Sequence, residues 1–269
     1  QFNPFFKPGA SVEELAKKGI LHPSVDNIFK GYNLYEHQVK AITLGNEGKD
    51  FIVTTGTGSG KSLTYLGTIF NYLLKNKPEK GVKAIIIYPM NALINSQNDE
   101  ITRYKQNYEK TTGEDFPISF GQYTGQEDET KRKELLTNLP DILLTNYMML
   151  ELIMTRVQEE DMRNSIFKHL KYIVYDELHT YRGRQGADVA LLTRRIKAMS
   201  KGGISCIGTS ATMVSGTPLE QRQKVAEVGT TFFGNQFTES EIITETLISS
   251  LGEGTGVSKD NIISEITNG

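Results

Sequence analysis

Cysteine is nearly missing from this chain: Cys206 is the only one in 269 residues, so no disulfide forms within it. A lone thiol set in an apolar run suits a reducing compartment, expected to be the cytoplasm, and reads as core packing. Neither charge predominates, since 30 Lys and Arg stand against 32 Asp and Glu for a formal net charge of −2. Without a basic field over the whole sequence, any nucleic-acid contact has to be local. No apolar run approaches the ~18 residues of a membrane span and no signal-peptide pattern is present, which argues against a membrane partner. The four histidines, His22, His37, His169 and His179, lack metal-ligand spacing, so no structural metal is expected.

What is present is alternation. Strand-like apolar runs at 51–55, 84–88, 118–123, 142–145, 172–176 and 204–208 alternate with helical patterns near 61–75, 92–108, 128–138, 147–157 and 187–200. Such alternation predicts an α/β domain with a mostly parallel sheet and helices on both faces. Ligands then belong at the carboxyl ends of the strands. Val189, Leu192, Ile196 and Met199 share one helical face and are expected in the core. Near the start, Ser11 and Glu14 have capping-box spacing and predict a short helix ending at Gly19. After residue 235 the sequence turns polar. The expected organisation is an N-terminal extension (1–30), a nucleotide-binding domain (31–235) and the start of a linker or insertion (236–269). A first residue of Gln1 and a polar end at Gly269 suggest a piece of a longer protein.

Two of the predicted strands run directly into chemistry. After Phe51-Ile52-Val53 comes Thr55-Gly56-Thr57-Gly58-Ser59-Gly60-Lys61-Ser62. A glycine-rich turn between strand and helix lets backbone N–H groups and the helix dipole surround phosphate oxygens. The cofactor expected there is ATP with Mg2+, held by Thr57, Gly58, Ser59 and Gly60. Lys61 would reach the β and γ phosphates, and the Ser62 hydroxyl would ligate the metal. Thr55 stands where the strict pattern has glycine. The second run, Tyr172 to Tyr175, ends in Asp176-Glu177-Leu178-His179. Asp176 would hold magnesium, usually through water, and Glu177 would orient or deprotonate the attacking water.

The ordered set Tyr35-Glu36-His37-Gln38, Thr55 to Ser62, Tyr88 to Leu93, Tyr123-Thr124-Gly125, Leu144-Thr145-Asn146, Asp176 to His179 and Ser210-Ala211-Thr212 resembles the first RecA-like domain of superfamily 2 DExH helicases. Residues 176–186 are especially similar to MrfA-type DNA repair helicases and related defence-system helicases. The resemblance implies that Gln38 reads adenine, with Tyr35 a further base contact. Leu21 stands where DEAD-box proteins place an adenine-stacking aromatic. Pro89, Asn91, Thr124, Gly125, Thr145 and Asn146 match loops that grip a nucleic-acid backbone, a mode that suits N–H groups and small hydroxyls. Read without the family, the same residues are ordinary strand-to-helix turns, with Asn91 and Thr145 as caps. His179 matches the catalytic-site histidine that couples phosphate state to nucleic acid, and Ser210, Ala211 and Thr212 match the motif that bonds back to the acidic one. Arg182 and Arg184, next to Tyr181, follow the acidic motif and suit either phosphate or another part of the protein, or a solvated loop face.

The resemblance therefore implies an ATP hydrolase that drives a helicase or translocase, with single-stranded DNA favoured over RNA as partner. Such motors carry arginine fingers on a second RecA-like domain, and no such pattern lies between Ala211 and Gly269. A finger is worth roughly 10³ to 10⁵ in rate, so this piece alone is expected to turn over slowly. An RNA helicase and an ATP-gated clamp with little turnover are the alternatives.

Overall fold

The computed structural model describes residues 5–56, 58–211 and 217–248. Its strands are β1 (Phe5–Phe6), β2 (Pro8–Ser11), β3 (Asn33–Tyr35), β4 (Phe51–Thr54), β5 (Ala84–Tyr88), β6 (Phe120–Tyr123), β7 (Ile142–Asn146), β8 (Tyr172–Tyr175), β9 (Ser205–Ser210), β10 (Ile242–Thr244) and β11 (Leu247–Ile248). The helices are α1 (Val12–Lys17), α2 (Pro23–Ile28), α3 (Glu36–Asn46), α4 (Lys61–Asn76), α5 (Asn91–Thr112), α6 (Glu129–Thr137), α7 (Tyr147–Thr155), α8 (Glu160–His169), α9 (Gly183–Met199) and α10 (Pro218–Phe233).

Seven strands form one sheet in the order β10-β4-β9-β8-β5-β7-β6, and every pairing in it is parallel. Successive strand residues point to opposite faces. Phe51, Val53, Ile86 and Val174 therefore join one apolar layer with α1 to α5, while Ile52, Ile85, Ile87, Ile173 and Cys206 join the other with α7 to α10. Both faces being covered explains why the central strands are unbroken apolar runs. This is the RecA-like P-loop architecture.

Three local outcomes differ from the sequence expectation. Ile242–Thr244, in the segment read as the start of a linker, adds β10 beside β4 and so belongs to the sheet. At three residues its apolar signal is too short to show a period. The extension is packed into the domain as well: Val12, Leu15, Val25 and Ile28 lie in the same layer as α4 and α5. Met199, placed on the buried stripe of α9, ends that helix 57% exposed, whereas Val189, Leu192 and Ile196 are buried. The capping box of Ser11 and Glu14 forms, and Gly19 takes a left-handed φ of 72°.

Candidate nucleotide site and nucleic-acid edge

The phosphate loop occupies the turn between β4 and α4. Gly60 precedes the helix at φ 69°, a conformation that favours glycine, and a Cβ there would lie 2.4 Å from Gln38 Nε2 and would have to displace that amide. Thr55 substitutes for glycine without strain, because it has no positive φ and its buried hydroxyl pairs with Ser59 Oγ at 2.5 Å. Lys61 Nζ donates to the carbonyls of Thr55 and Gly56 at 3.1 and 3.3 Å and lies 4.0 Å from Glu177 Oε1. Its charge is thus held inside the loop that a phosphate would enter. Thr57 lies outside the described residues.

Gln38 is buried against this loop. Its amide donates to the Ser59 and Gly60 carbonyls at 3.2 and 3.0 Å and accepts from the Tyr35 N–H at 2.8 Å. All the hydrogens that would read a base are engaged with the protein, so in this structure Gln38 braces the phosphate loop. His37, which sequence reasoning left without a role, adds a second brace from its Nε2 to the Ser59 carbonyl at 3.0 Å. Burial pushes its imidazole below the ordinary range, which keeps it neutral. Tyr35 stacks on His37 and, with Gln38, Gly58, Gly60, Ser62 and Glu100, lines a cavity of about 210 Å³ beside the loop.

The acidic motif follows β8, next to β9 in the sheet. Thr209 ties it together: its hydroxyl donates to Asp176 Oδ1 at 2.6 Å and accepts the Glu177 N–H at 3.1 Å. Burial raises the Asp176 carboxyl to about 6, against the opposing pull of that hydrogen bond. Glu177 is held at φ 52°, a left-handed conformation costing a non-glycine residue ~1–3 kcal/mol. Its Oε2 lies 3.2 Å from His179 Nδ1, and that same nitrogen lies 3.4 Å from the Ser210 hydroxyl and 3.4 Å from the Ala211 N–H. Unprotonated, Nδ1 accepts from Ala211; protonated, it donates to Glu177. One imidazole nitrogen therefore chooses between the acidic motif and the strand β9 exit. Ser210 reaches the histidine, whereas the hydroxyl on Asp176 and Glu177 comes from Thr209, one residue earlier than expected. Thr212 lies outside the described residues.

The loops after β5, β6 and β7 lie side by side because these strands are neighbours. Asn146 caps α7 by accepting the Met149 N–H at 2.9 Å, and its amide donates to Asn91 Oδ1 at 2.8 Å. Pro89 is half-buried and Met90, rather than Asn91, precedes α5 as its cap residue. Thr145 is fully buried with its hydroxyl on the Tyr123 carbonyl at 2.6 Å, which removes that side chain from the exposed edge. The hydroxyl belongs to strand β7, whose pleat turns it inward. The Thr124 and Gly125 N–H groups, a ready phosphate cradle, both donate to the Glu127 carboxylate at 2.9 Å.

A model of the DEAD/DEAH box helicases matches residues 35–219. The chain belongs to that family. The matched residues take in Gln38, the phosphate loop, the acidic motif, the loops after β5, β6 and β7, and Thr209 to Ala211. Among DEAD/DEAH relatives, the uncharacterized ATP-dependent helicase MJ1574 of Methanocaldococcus jannaschii is 33% identical over 171 residues, covering 64% of this chain and 24% of its own length. Druantia protein DruE of Escherichia coli is 26% identical over 327 residues, covering 79% of this chain and 18% of DruE. The crystal structure of the helicase MrfA bound to DNA superposes with a TM-score of 0.71 at 22% identity, covering 90% of this chain and 31% of MrfA, a likeness of fold. The chain thus spans about a quarter or less of the curated relatives' length. Among the described residues, no helix is long and apolar enough to cross a membrane.

Proposed function

We propose that residues 31–235, together with β10, are the first RecA-like motor domain of an ATP-dependent helicase or translocase that acts on single-stranded DNA. The observation that carries this reading is the meeting of Lys61, Asp176, Glu177 and His179 at one sheet edge, with His179 bridging to Ser210 and Ala211. Lys61 would leave the Thr55 and Gly56 carbonyls for the β and γ phosphates. Ser62 and Asp176 offer the hard oxygen donors that magnesium takes, alongside water and phosphate oxygens. Glu177 would hold the attacking water, and the choice made by His179 Nδ1 would report phosphate state to β9. Tyr35 and Gln38 line the cavity suited to the base.

The DNA strand would cross the edge formed by Pro89, Asn91, Thr124, Gly125 and Asn146. Backbone donors and small polar groups hold phosphate without reading sequence, which agrees with a net charge of −2, and the Thr124 and Gly125 N–H groups would have to leave the Glu127 carboxylate to do so. The preference for DNA draws on the likeness of residues 176–186 to MrfA-type helicases and on MrfA having been crystallised with DNA. Arginine fingers would come from a second RecA-like domain, so this piece alone would bind nucleotide weakly, turn it over slowly and unwind nothing.

The test is ATPase in a polypeptide extended by the second RecA-like domain, with and without single-stranded DNA or RNA. DNA-stimulated turnover that Glu177→Gln abolishes is the expected result. Equal rates with and without either nucleic acid would replace the motor by an ATP-gated clamp, and stimulation by RNA alone would reassign the substrate.

A further inference from the structure

The phosphate-loop serine has a partner that none of the family motifs contains. Ser62 Oγ donates to Glu100 Oε2 at 3.5 Å, and Glu100 sits on α5, 38 positions away. The carboxylate is firmly aimed: Tyr104 donates to Oε1 at 2.7 Å and Gln97 to Oε2 at 2.8 Å. Gln97 is itself buried and accepts from the hydroxyl of the fully buried Tyr65, which lies 3.3 Å from the Tyr88 hydroxyl. Tyr65 belongs to α4 and Tyr88 ends β5, so the aim of Glu100 is set by the packed core between the phosphate loop and α5.

The charge of Glu100 is not needed by these contacts. Its three hydrogen-bond partners among the described residues, Ser62, Gln97 and Tyr104, are neutral. It also lines the same 210 Å³ cavity as Gly58, Gly60 and Ser62. A carboxylate facing a phosphate site repels nucleotide unless a cation stands between them. A serine oxygen that binds a cation, moreover, keeps its proton and still needs an acceptor for it. Asp176 is already paired to Thr209, while the Glu100 carboxylate stands within reach of the Ser62 hydroxyl and already accepts from it at 3.5 Å.

We propose that Glu100 is a positioning residue of the magnesium–nucleotide site: it accepts the hydrogen bond of the Ser62 hydroxyl when that oxygen turns to the metal, and its negative charge makes nucleotide binding depend on magnesium. The inference rests on the nucleotide-site reading above. In effect Glu100 selects for the metal complex and against free nucleotide, a coupling between two ligands.

The test is binding of a fluorescent ATP analogue to the 269-residue chain, titrated in excess magnesium and in EDTA, with thermal melting to establish folding. The ratio of the two Kd values measures the coupling. In Glu100→Gln and Glu100→Ala that ratio is expected to shrink at least about fivefold, mainly through tighter binding in EDTA. Tyr104→Phe, which keeps the charge but frees one oxygen, is expected to keep most of the ratio. A ratio unchanged in both Glu100 variants overturns this proposal alone, since it would make Glu100 a strut of α5. A parent chain that binds no nucleotide under either condition overturns the nucleotide-site reading as well.

Discussion

The Glu245 carboxylate accepts a hydrogen bond from the Gly56 N–H at 2.7 Å, across 189 positions of sequence. Glu245 directly follows β10, the edge strand beside β4, and the pairing of β10 with β4 carries it to the mouth of the phosphate loop. An acid thus stands on an N–H group of the loop built to receive phosphate. Removing it by Glu245→Ala frees a donor and deletes a repulsive charge, so affinity for ATP is expected to rise about two- to fivefold. Fluorescence titration checks this; a lowered melting temperature with unchanged affinity would make the contact purely structural.

Stability should carry the signature of Asp176. Its carboxyl, lifted by burial to about 6 in the folded chain, has a folded value above the unfolded one. The protonated form therefore favours folding; that contribution is complete below about pH 4 and is lost as pH rises through about 6. Asp176→Asn is expected to be more stable than the parent by roughly 1–3 kcal/mol at pH 8, with the gap closing toward pH 4.5. Urea melts at the two pH values decide it, and an Asn variant less stable at pH 8 would contradict the buried-charge account.

Thr209 offers a cleaner probe of the acidic motif than either acid. Thr209→Val keeps the shape and removes the hydroxyl that Asp176 and the Glu177 N–H share. Leaving that N–H unpaired is expected to cost about 1–3 kcal/mol of stability, and turnover in the two-domain polypeptide should fall by about tenfold. Thr209→Ser should restore both. Restoration of stability without turnover would show that the methyl group, rather than the hydrogen bond, sets the motif.

Gly60→Ala meets two obstacles, a φ of 69° and Gln38 Nε2 at 2.4 Å from the new Cβ. A loss of about 1–3 kcal/mol is expected together with at least tenfold weaker nucleotide binding. Gln38→Ala clears the clash but also removes the brace on Ser59 and Gly60, so the single and double variants are compared as a cycle: a double loss smaller than the sum of the two single losses assigns part of the Gly60→Ala cost to the clash, and strict additivity places it in the backbone.

Much of the fold was legible because the central strands are buried on both sides and therefore read as unbroken apolar runs between turn signals. Phe51–Thr54, Ala84–Tyr88 and Tyr172–Tyr175 lie within one residue of their expected ends. The short edge strand Ile242–Thr244 was not legible, since three residues carry no period and its stability comes from pairing with β4. Met199 shows the same limit: periodicity places it on a face without saying whether the last turn of that face is covered.

Local chemistry came from the chain itself. A glycine-rich turn before a helix, Lys61 and Ser62 at its end, and an acidic pair closing an apolar strand are recognisable because their function depends on backbone geometry that neighbouring residues impose. What only the folded chain decided is which distant groups face those motifs. Glu100 on Ser62, Thr209 on Asp176, Glu245 on Gly56 and Gln38 on Gly60 are contacts between segments brought together by sheet order and helix packing. Each is a polar group of common type whose meaning lies in its partner, and partnership across 22 to 189 positions is a property of tertiary packing rather than of sequence spacing.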